Sequence, residues 1–228
     1  MTDLDPDALA ALVARFGGSN LTQTLRTIEH EAHGVEAASC GGFLDRVGAV
    51  PELLKAAGAL KRLAGQINVT IHALGILRCL PHLLEPGEVV EYVSLGAGNT
   101  GRAFDLETDR RIAEFKFIDW KGGAEAIRQN GIFKDYFHLA HSGSPKRKYL
   151  YVLGDHHPLK FLTGRRAIGS VTGHNAKIRE AYAALFEGVY ATVGDYYRDH
   201  RDAVVIQDVS GWLPELVGID AGSDDGGD

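Results

Sequence analysis

The chain has 228 residues, 45% of them hydrophobic, and a formal net charge of −6. That length and composition suffice for one domain with a large core, or for a core with a helical extension. No apolar run reaches the roughly 18 residues that a membrane span needs, and the acidic start lacks the basic region of a signal peptide, so we expect neither feature.

Residues 1–64 are predicted to form a helical N-terminal extension. Apolar residues at helical spacing predict helices at residues 7–16, 21–33 and 51–63. Pro51 would occupy the first turn of the last helix, where proline is tolerated. The extension could cap the fold, form a dimer surface or shape a DNA channel, and the sequence leaves these three roles open.

Residues 65–219 are predicted to form an α/β domain, followed by a disordered acidic tail at 220–228. The hydrophobic pattern predicts its elements in this order: a helix at 66–84, a strand at 89–95, two hairpin strands around a turn at 108–111, a helix at 124–141, a strand at 148–153, a long helix at 175–198, a strand at 203–207 and a helical turn at 212–217.

The second hairpin strand contains two charges within an apolar, alternating pattern. Alternation places Ala113 and Phe115 on one face of the strand, and Glu114 and Lys116 on the other. A surface ion pair would explain these charges and would stabilise the fold by only about 0–1 kcal/mol. The alternative explanation is a chemical site, because buried charge is costly unless it is paired or binds a metal.

The order helix, three strands, helix, strand, with Asp105 and Glu114-x-Lys116 on the hairpin, resembles the PD-(D/E)XK nuclease superfamily. The resemblance covers roughly residues 65–170 and implies the restriction-endonuclease-like fold. The segment from Gly101 to Lys116 also resembles an uncharacterised branch of that superfamily.

This resemblance implies a nuclease that hydrolyses phosphodiester bonds in nucleic acid, with DNA as the expected substrate and Mg²⁺ or Mn²⁺ as the cofactor. Asp105, Glu114 and the backbone carbonyl of Phe115 would bind the metal, and Lys116 would orient the attacking water or neutralise the phosphate. Two carboxylates held close together raise each other's pKa and favour a divalent cation between them.

Members of the superfamily often add an acidic residue from the first core helix, but residues 66–84 contain no Asp or Glu. Asn68 and His72 lie four residues apart on one face of this helix, and Glu91 on the first strand is a further candidate. The departure keeps open a second hypothesis, a non-catalytic nucleic-acid-binding or assembly protein on the same fold.

The charge distribution favours a polyanionic partner despite the negative total. Residues 110–179 contain 14 Lys and Arg against 5 Asp and Glu, whereas the rest of the chain contains 10 basic and 25 acidic residues. A local positive field of this kind is what nucleic-acid binding needs. The predicted substrate-binding residues are Arg102, Lys121, Arg128, Gln129 and Lys134, and further candidate phosphate contacts are Lys146, Arg147, Lys148, Lys160, Arg165 and Arg166.

The loop from Gly96 to Gly101 matches a dinucleotide-binding fingerprint by spacing. That fingerprint requires a helix directly after the glycines, whereas the residues here alternate as in a strand. Binding of a nucleotide or S-adenosylmethionine at this loop is therefore a third hypothesis. We expect His156 and His157 to be surface residues of a loop.

The remaining expectations concern location and assembly. Cys40 and Cys79 have no metal-binding spacing and are predicted to be reduced core thiols of a cytoplasmic protein. A homodimer or a partner protein is compatible with the sequence, since a small nuclease module often takes its specificity from a partner.

Overall fold

In the computed structural model, the described residues are 5–17, 21–96, 103–118, 120, 125–173 and 175–218. The chain divides into two compact units, with the division between Asn68 and Val69. The predicted acidic tail lies outside the described residues.

The first unit is helical. Its elements are α1 (Pro6–Phe16), α2 (Leu21–Ala32), α3 (Cys40–Arg46) and the first half of α4 (Pro51–Leu83). Asp5 caps α1 by accepting a hydrogen bond from the Asp7 amide at 3.0 Å. Cys40 is exposed, contrary to the prediction, whereas Cys79 is buried as predicted.

The sequence predicted two helices where the structure has the single helix α4. The residue between them, Gly65, lowers helix propensity by about 1 kcal/mol, which is too little to end a helix that is continued on both sides. One 18-residue window of α4 has a mean hydropathy of 1.3 and is 17% buried. By length and composition alone, α4 could therefore cross a membrane. This is weak evidence, because core helices of soluble proteins pass the same test.

The second unit is an α/β unit, which confirms the predicted fold class at this level. Its elements after α4 are β1 (Val90–Val93), β2 (Leu106–Thr108), β3 (Arg111–Lys116), α5 (Ala126–Ala140), β4 (Arg147–Val152), α6 (His156–Leu162), α7 (Ile168–Thr172), α8 (Ala176–Phe186), α9 (Val193–His200), β5 (Val205–Asp208) and a 3₁₀ turn (Pro214–Leu216). The described strands form one sheet in the order β1-β2-β3-β4-β5. The pairs β1–β2 and β2–β3 are antiparallel, and β3–β4 and β4–β5 are parallel.

The predicted order of helix, three strands, helix and strand is confirmed from α4 to β4. The predicted long C-terminal helix is wrong, because the structure has the separate helices α8 and α9. Gly188 adopts a φ of +72° after α8, a conformation that ends the helix and that glycine adopts without strain. Thr192 then caps α9 by accepting a hydrogen bond from the Asp195 amide at 3.2 Å.

Helices α3, α6 and α7 were not predicted. The pattern placed His156 and His157 in a loop, but they begin α6, with Pro158 in its first turn. A proline there breaks no hydrogen bond, because the first amides of a helix have no intrahelical partner.

The alternation predicted for β3 is confirmed by the packing on its two faces. Ala113 and Phe115 pack in a cluster with Ile76 and Cys79 of α4. Ile112 packs in a second cluster, with the residues of α5 that include Phe133 and Phe137. The sheet therefore has α4 on one face and α5 on the other, and the side chains of Glu114 and Lys116 face α5.

Candidate active site

The carboxyl end of β3 brings Asp105, Glu114 and Lys116 together. Strand β2 runs antiparallel to β3, with Leu106 opposite Ala113, so Asp105 at the start of β2 lies beside the end of β3. The Phe115 amide donates a hydrogen bond of 3.0 Å to Oδ2 of Asp105. Backbone pairing therefore fixes the position of this carboxylate.

Glu114 is the most strongly perturbed acid of the site. Its side chain is 13% exposed. Burial, together with the negative charges of Asp135 and Asp105, raises the pKa of Glu114 to about 9, although the charge of Lys116 acts to lower it. At neutral pH and without a cation, Glu114 therefore holds a proton and hydrogen-bonds to Asp105.

Lys116 remains charged, although it is half-buried. Its Nζ lies 2.6 Å from Oδ2 of Asp135 and 4.0 Å from Oε2 of Glu114. Burial alone would lower the pKa of Lys116, but the charges of Asp135 and Glu114 outweigh it and raise this pKa. The ammonium is thus held between two carboxyl groups.

Asp135 on α5 is the residue of the site that the sequence analysis missed. It is buried, at 4% exposure, among the apolar residues of the same helix. Lys134 Nζ lies 3.6 Å from the second oxygen of Asp135. The signal was present in the sequence, because Asp135 lies three residues after Ile132 and four before Leu139, on the apolar stripe of a predicted helix.

His72 joins the site from the first core helix. Its Nε2 lies 3.4 Å from Oδ1 of Asp105. Burial would raise the pKa of Asp105, but the hydrogen bonds from His72 and from the Phe115 amide lower it below its ordinary value. Helix α4 therefore contributes a histidine to the site.

The close approach of α4 to the end of β3 depends on Gly75. A Cβ atom at this position would lie 2.6 Å from the ring of Phe117, which is far inside van der Waals contact. His72, one turn earlier on α4, packs against the same ring with a centroid distance of 5.8 Å. Glycine at position 75 thus allows α4 to place His72 beside Asp105.

Two other predicted accessory residues have different surroundings. Glu91 lies 2.6 Å from Lys146 Nζ, in an ion cluster that also includes Glu107 at 2.9 Å. Asn68 is exposed on α4, as the last residue of the first unit.

The predicted substrate-binding residues are only partly described. Arg128 pairs with Glu125 at 2.6 Å. Gln129 accepts a hydrogen bond from Arg166. Lys134 contacts Asp135, as stated above, while Arg102 and Lys121 lie outside the described residues.

Four of the 14 Lys and Arg of residues 110–179 pair with glutamates that precede this segment in the chain. Glu85 pairs with Arg147 at 2.6 Å and with Arg110 at 3.4 Å. Arg111 and Lys146 are likewise paired with acids outside the segment. The charge asymmetry along the sequence therefore overstates the positive field of the folded unit.

A pocket of about 240 Å³ adjoins the site, and Lys116 belongs to its lining. The rest of the lining is mainly apolar and includes Ile118, Trp120 and Gly131. Arg128 supplies a second cation to the same pocket.

No group of three or more His, Cys, Asp and Glu side chains that could hold a metal is present among the described residues. The donor set nevertheless fits Mg²⁺, which typically takes one or two protein carboxylates and completes its shell with water and substrate phosphate. Asp105 and Glu114 are two such carboxylates, and the charge of Asp105 contributes to the raised pKa of Glu114, as expected for neighbouring carboxyl groups without a cation between them.

Comparison of this chain with protein-family models, curated proteins and solved structures gave no match.

Proposed function

We propose that this chain is a metal-dependent nuclease with a restriction-endonuclease-like core, acting on nucleic acid, with DNA as the expected substrate. One observation carries the proposal: the carboxyl groups of Asp105 and Glu114 lie together beside the half-buried, charged Lys116 at the carboxyl end of β3.

The topology supports the fold assignment. An antiparallel β1–β2–β3 meander follows α4, and β4 returns parallel to β3 through the crossover helix α5. The three residues of the motif thus occupy the central part of the sheet, as the resemblance to the superfamily requires.

In this proposal Asp105 and Glu114 hold the cation, with the carbonyl of Phe115 as an additional ligand. A bound Mg²⁺ would polarise the scissile phosphate and lower the pKa of a coordinated water. Lys116 would contribute a point charge to the negative charge that develops on the phosphate.

Two neighbours would act as positioning residues. His72 would orient Asp105 through its contact with Oδ1. Asp135 would fix the ammonium of Lys116, because it holds Nζ at 2.6 Å. Loss of a residue with such a role typically lowers metal affinity or activity by about 10- to 100-fold.

The experiment is cleavage of labelled single- and double-stranded DNA and RNA in the presence of Mg²⁺, Mn²⁺ or EDTA. Wild type would be compared with Glu114→Gln and Lys116→Ala, and with Glu107→Gln as a matched control. Glu107 is a partly buried strand glutamate that pairs with Lys146 instead of the site. Metal-dependent cutting that both site variants abolish and the control retains would support the proposal, and cutting that survives in the site variants would refute it.

A second candidate function is favoured by the pairing of Lys116 with Asp135 and by the small number of acidic ligands. A lysine that is already neutralised suits a protein that keeps the fold and binds nucleic acid without cutting it. A mobility-shift experiment without metal separates the two candidates, because tight binding without any cleavage after Mg²⁺ is added would favour the non-catalytic protein.

The third hypothesis, ligand binding at Gly96–Gly101, falls on a loop of which only Gly96 lies within the described residues. The next described element after this loop is the strand β2. We do not propose this function, because a dinucleotide fingerprint needs a helix at that place.

A further inference from the structure

The pocket beside Lys116 has the properties of a site for a flat, apolar ring. Its walls come from the end of β3, from α5 and from the segment after β4, and they include Ile118, Ile132, Val152 and Pro158. Its volume of about 240 Å³ admits one small ring system and excludes a stacked base pair.

Trp120 gives this pocket an aromatic wall and is itself only 8% exposed. A flat ring could stack on this indole and on the apolar walls beside it, since bases bind aromatic side chains in this way without regard to sequence.

The mouth of the pocket is both apolar and cationic. Ile127 is 88% exposed and Ile118 is 48% exposed, and both line the pocket. Exposed apolar side chains that lie together often mark a binding site. Lys116 and Arg128 line the same pocket, whereas Asp135 and Glu125, the acids with which they pair, are not among its lining residues. A ligand that matches this surface has a flat apolar body and an anionic group attached to it, which is the chemistry of a nucleotide.

We infer that the pocket binds one unpaired base of the substrate strand, with the phosphate of that nucleotide toward Lys116. The inference rests on the proposed nuclease function for the position of the cut, but base binding itself does not require catalysis. Since bases in a duplex are stacked and paired, such a site selects single-stranded or locally unpaired nucleic acid.

A change in the ligand tests the inference without altering the protein. Fluorescence anisotropy in EDTA would measure the binding of a 5′-labelled single-stranded DNA oligonucleotide and of a set in which one nucleotide at a time is abasic. We expect the abasic change at one register to weaken binding about tenfold, which is within the range measured for loss of one stacked base. The intact duplex should bind more weakly than the single strand.

A change in the pocket provides the complementary test. Gly131 lines the pocket, and a Cβ atom at this position would meet nothing within 4 Å, so Gly131→Leu fills open space without a clash at its base. We expect this variant to bind intact and abasic strands equally, and Gly131→Ala to fall between it and wild type. Gly169→Leu is the matched control, because Gly169 is also helical and open but lies in α7, outside the pocket lining.

The outcomes separate this inference from the proposed function. Base-dependent binding that Gly131→Leu removes, without any cleavage in Mg²⁺, would support the pocket and refute the nuclease. Cleavage with no difference between intact and abasic strands, or between single strand and duplex, would overturn the pocket and leave the nuclease standing. A loss of base dependence in Gly169→Leu as well would also overturn the pocket assignment.

Discussion

Strand β3 begins with Arg111 and ends with Glu114 and Lys116, so both of its ends place ionisable groups in the interior. At the first end, Arg111 makes two hydrogen bonds to the buried Glu88, Nε to Oε1 at 2.6 Å and Nη2 to Oε2 at 2.5 Å. Tyr151 and Thr108 complete the network, each through a hydroxyl within 3.0 Å of its partner.

The charges at this first end balance. Burial would raise the pKa of Glu88, but its bonds to Arg111 and to neighbouring donors lower it to about 2. One buried carboxylate and one buried guanidinium face each other with their donors and acceptors paired, and the partly exposed Glu85 lies 3.5 Å from Nη2 of the same arginine. This arrangement describes a structural ion pair.

The charges at the second end do not balance. Three carboxyl groups, those of Asp105, Glu114 and Asp135, share Lys116 and the contact with His72. Burial and the neighbouring acids raise the pKa of Glu114 to about 9. The comparison teaches that burial of charge is not itself a sign of function, whereas a surplus of one sign that a proton or cation must neutralise is a reason to expect chemistry.

Loss of the surplus carboxylate should have the largest effect. Glu114→Gln keeps the shape of the side chain but removes a metal ligand, so we expect cleavage to fall by about 10³-fold or more, equivalent to at least about 4 kcal/mol of transition-state stabilisation. Single-turnover cleavage in Mg²⁺ measures the change. Circular dichroism should show an unchanged fold, and activity within a factor of about ten of wild type would contradict the assignment.

Removal of the balancing charge at the other end should affect stability instead. Arg111→Met leaves Glu88 buried and unpaired, so we expect a loss of about 3–4 kcal/mol in the free energy of unfolding. Urea denaturation measures it. The double variant Glu88→Gln with Arg111→Met should lose less than the single variant, and an equal or greater loss would mean that the pair does not act as a balanced unit.

The two ends should have opposite effects on stability as pH changes. The pKa of Glu114 is raised in the folded state, so its contribution is complete below its unfolded pKa of 4.5 and is lost as pH rises toward 9. The slope is at most about 1.4 kcal/mol per pH unit. The lowered pKa of Glu88 acts the other way, and its contribution is lost as pH falls from 4.5 toward 2.

Urea titrations at several values of pH would measure these slopes. Burial lowers the pKa of His141 to about 4, which adds an opposite slope below its unfolded pKa of 6.5 that wild type and variant share. We therefore expect the stability of wild type relative to Glu114→Gln to decrease from pH 5 to pH 8, and both proteins to lose stability in acid. A relative stability that does not change from pH 5 to pH 8 would mean that Glu114 ionises freely, which would break the contrast between the two ends.

The smallest effect is expected at Asp135, as a positioning residue. Asp135→Asn should reduce cleavage about tenfold, because Lys116 loses the carboxylate that holds its Nζ at 2.6 Å. The same change removes a negative charge that raises the pKa of Glu114, so the pH–rate profile should shift toward lower pH. A tenfold loss with an unshifted profile would assign Asp135 a structural role alone.

Local pattern in the sequence predicted most of the second unit. The period of two placed β3 and its faces correctly, because side chains in a strand must alternate. The turn at 108–111 was also predicted, since short polar turns between apolar runs have few other conformations. The sequence predicted a helix break around Gly65 that the structure lacks, and it missed the break at Gly188 that the structure has. Whether a glycine ends a helix depends on its backbone conformation and on the packing around it, and local pattern determines neither.

For the candidate site, sequence identified Asp105, Glu114 and Lys116 as a group and offered His72 as an accessory residue. It missed Asp135, and it predicted a positive field for residues 110–179 without the acids elsewhere in the chain that pair with some of these cations. Both differences have one cause, because the partners of Lys116 and Arg111 are 19 and 23 residues away along the chain and only the fold brings them close.

The sequence alone thus determined the α/β class, the order from α4 to β4 and the strand that carries the charged motif, since these depend on periodicity and on residue type. Only the tertiary structure decided which charges are balanced. Electrostatic energy depends on distance and on burial, and neither quantity is written in the spacing of residues along a chain.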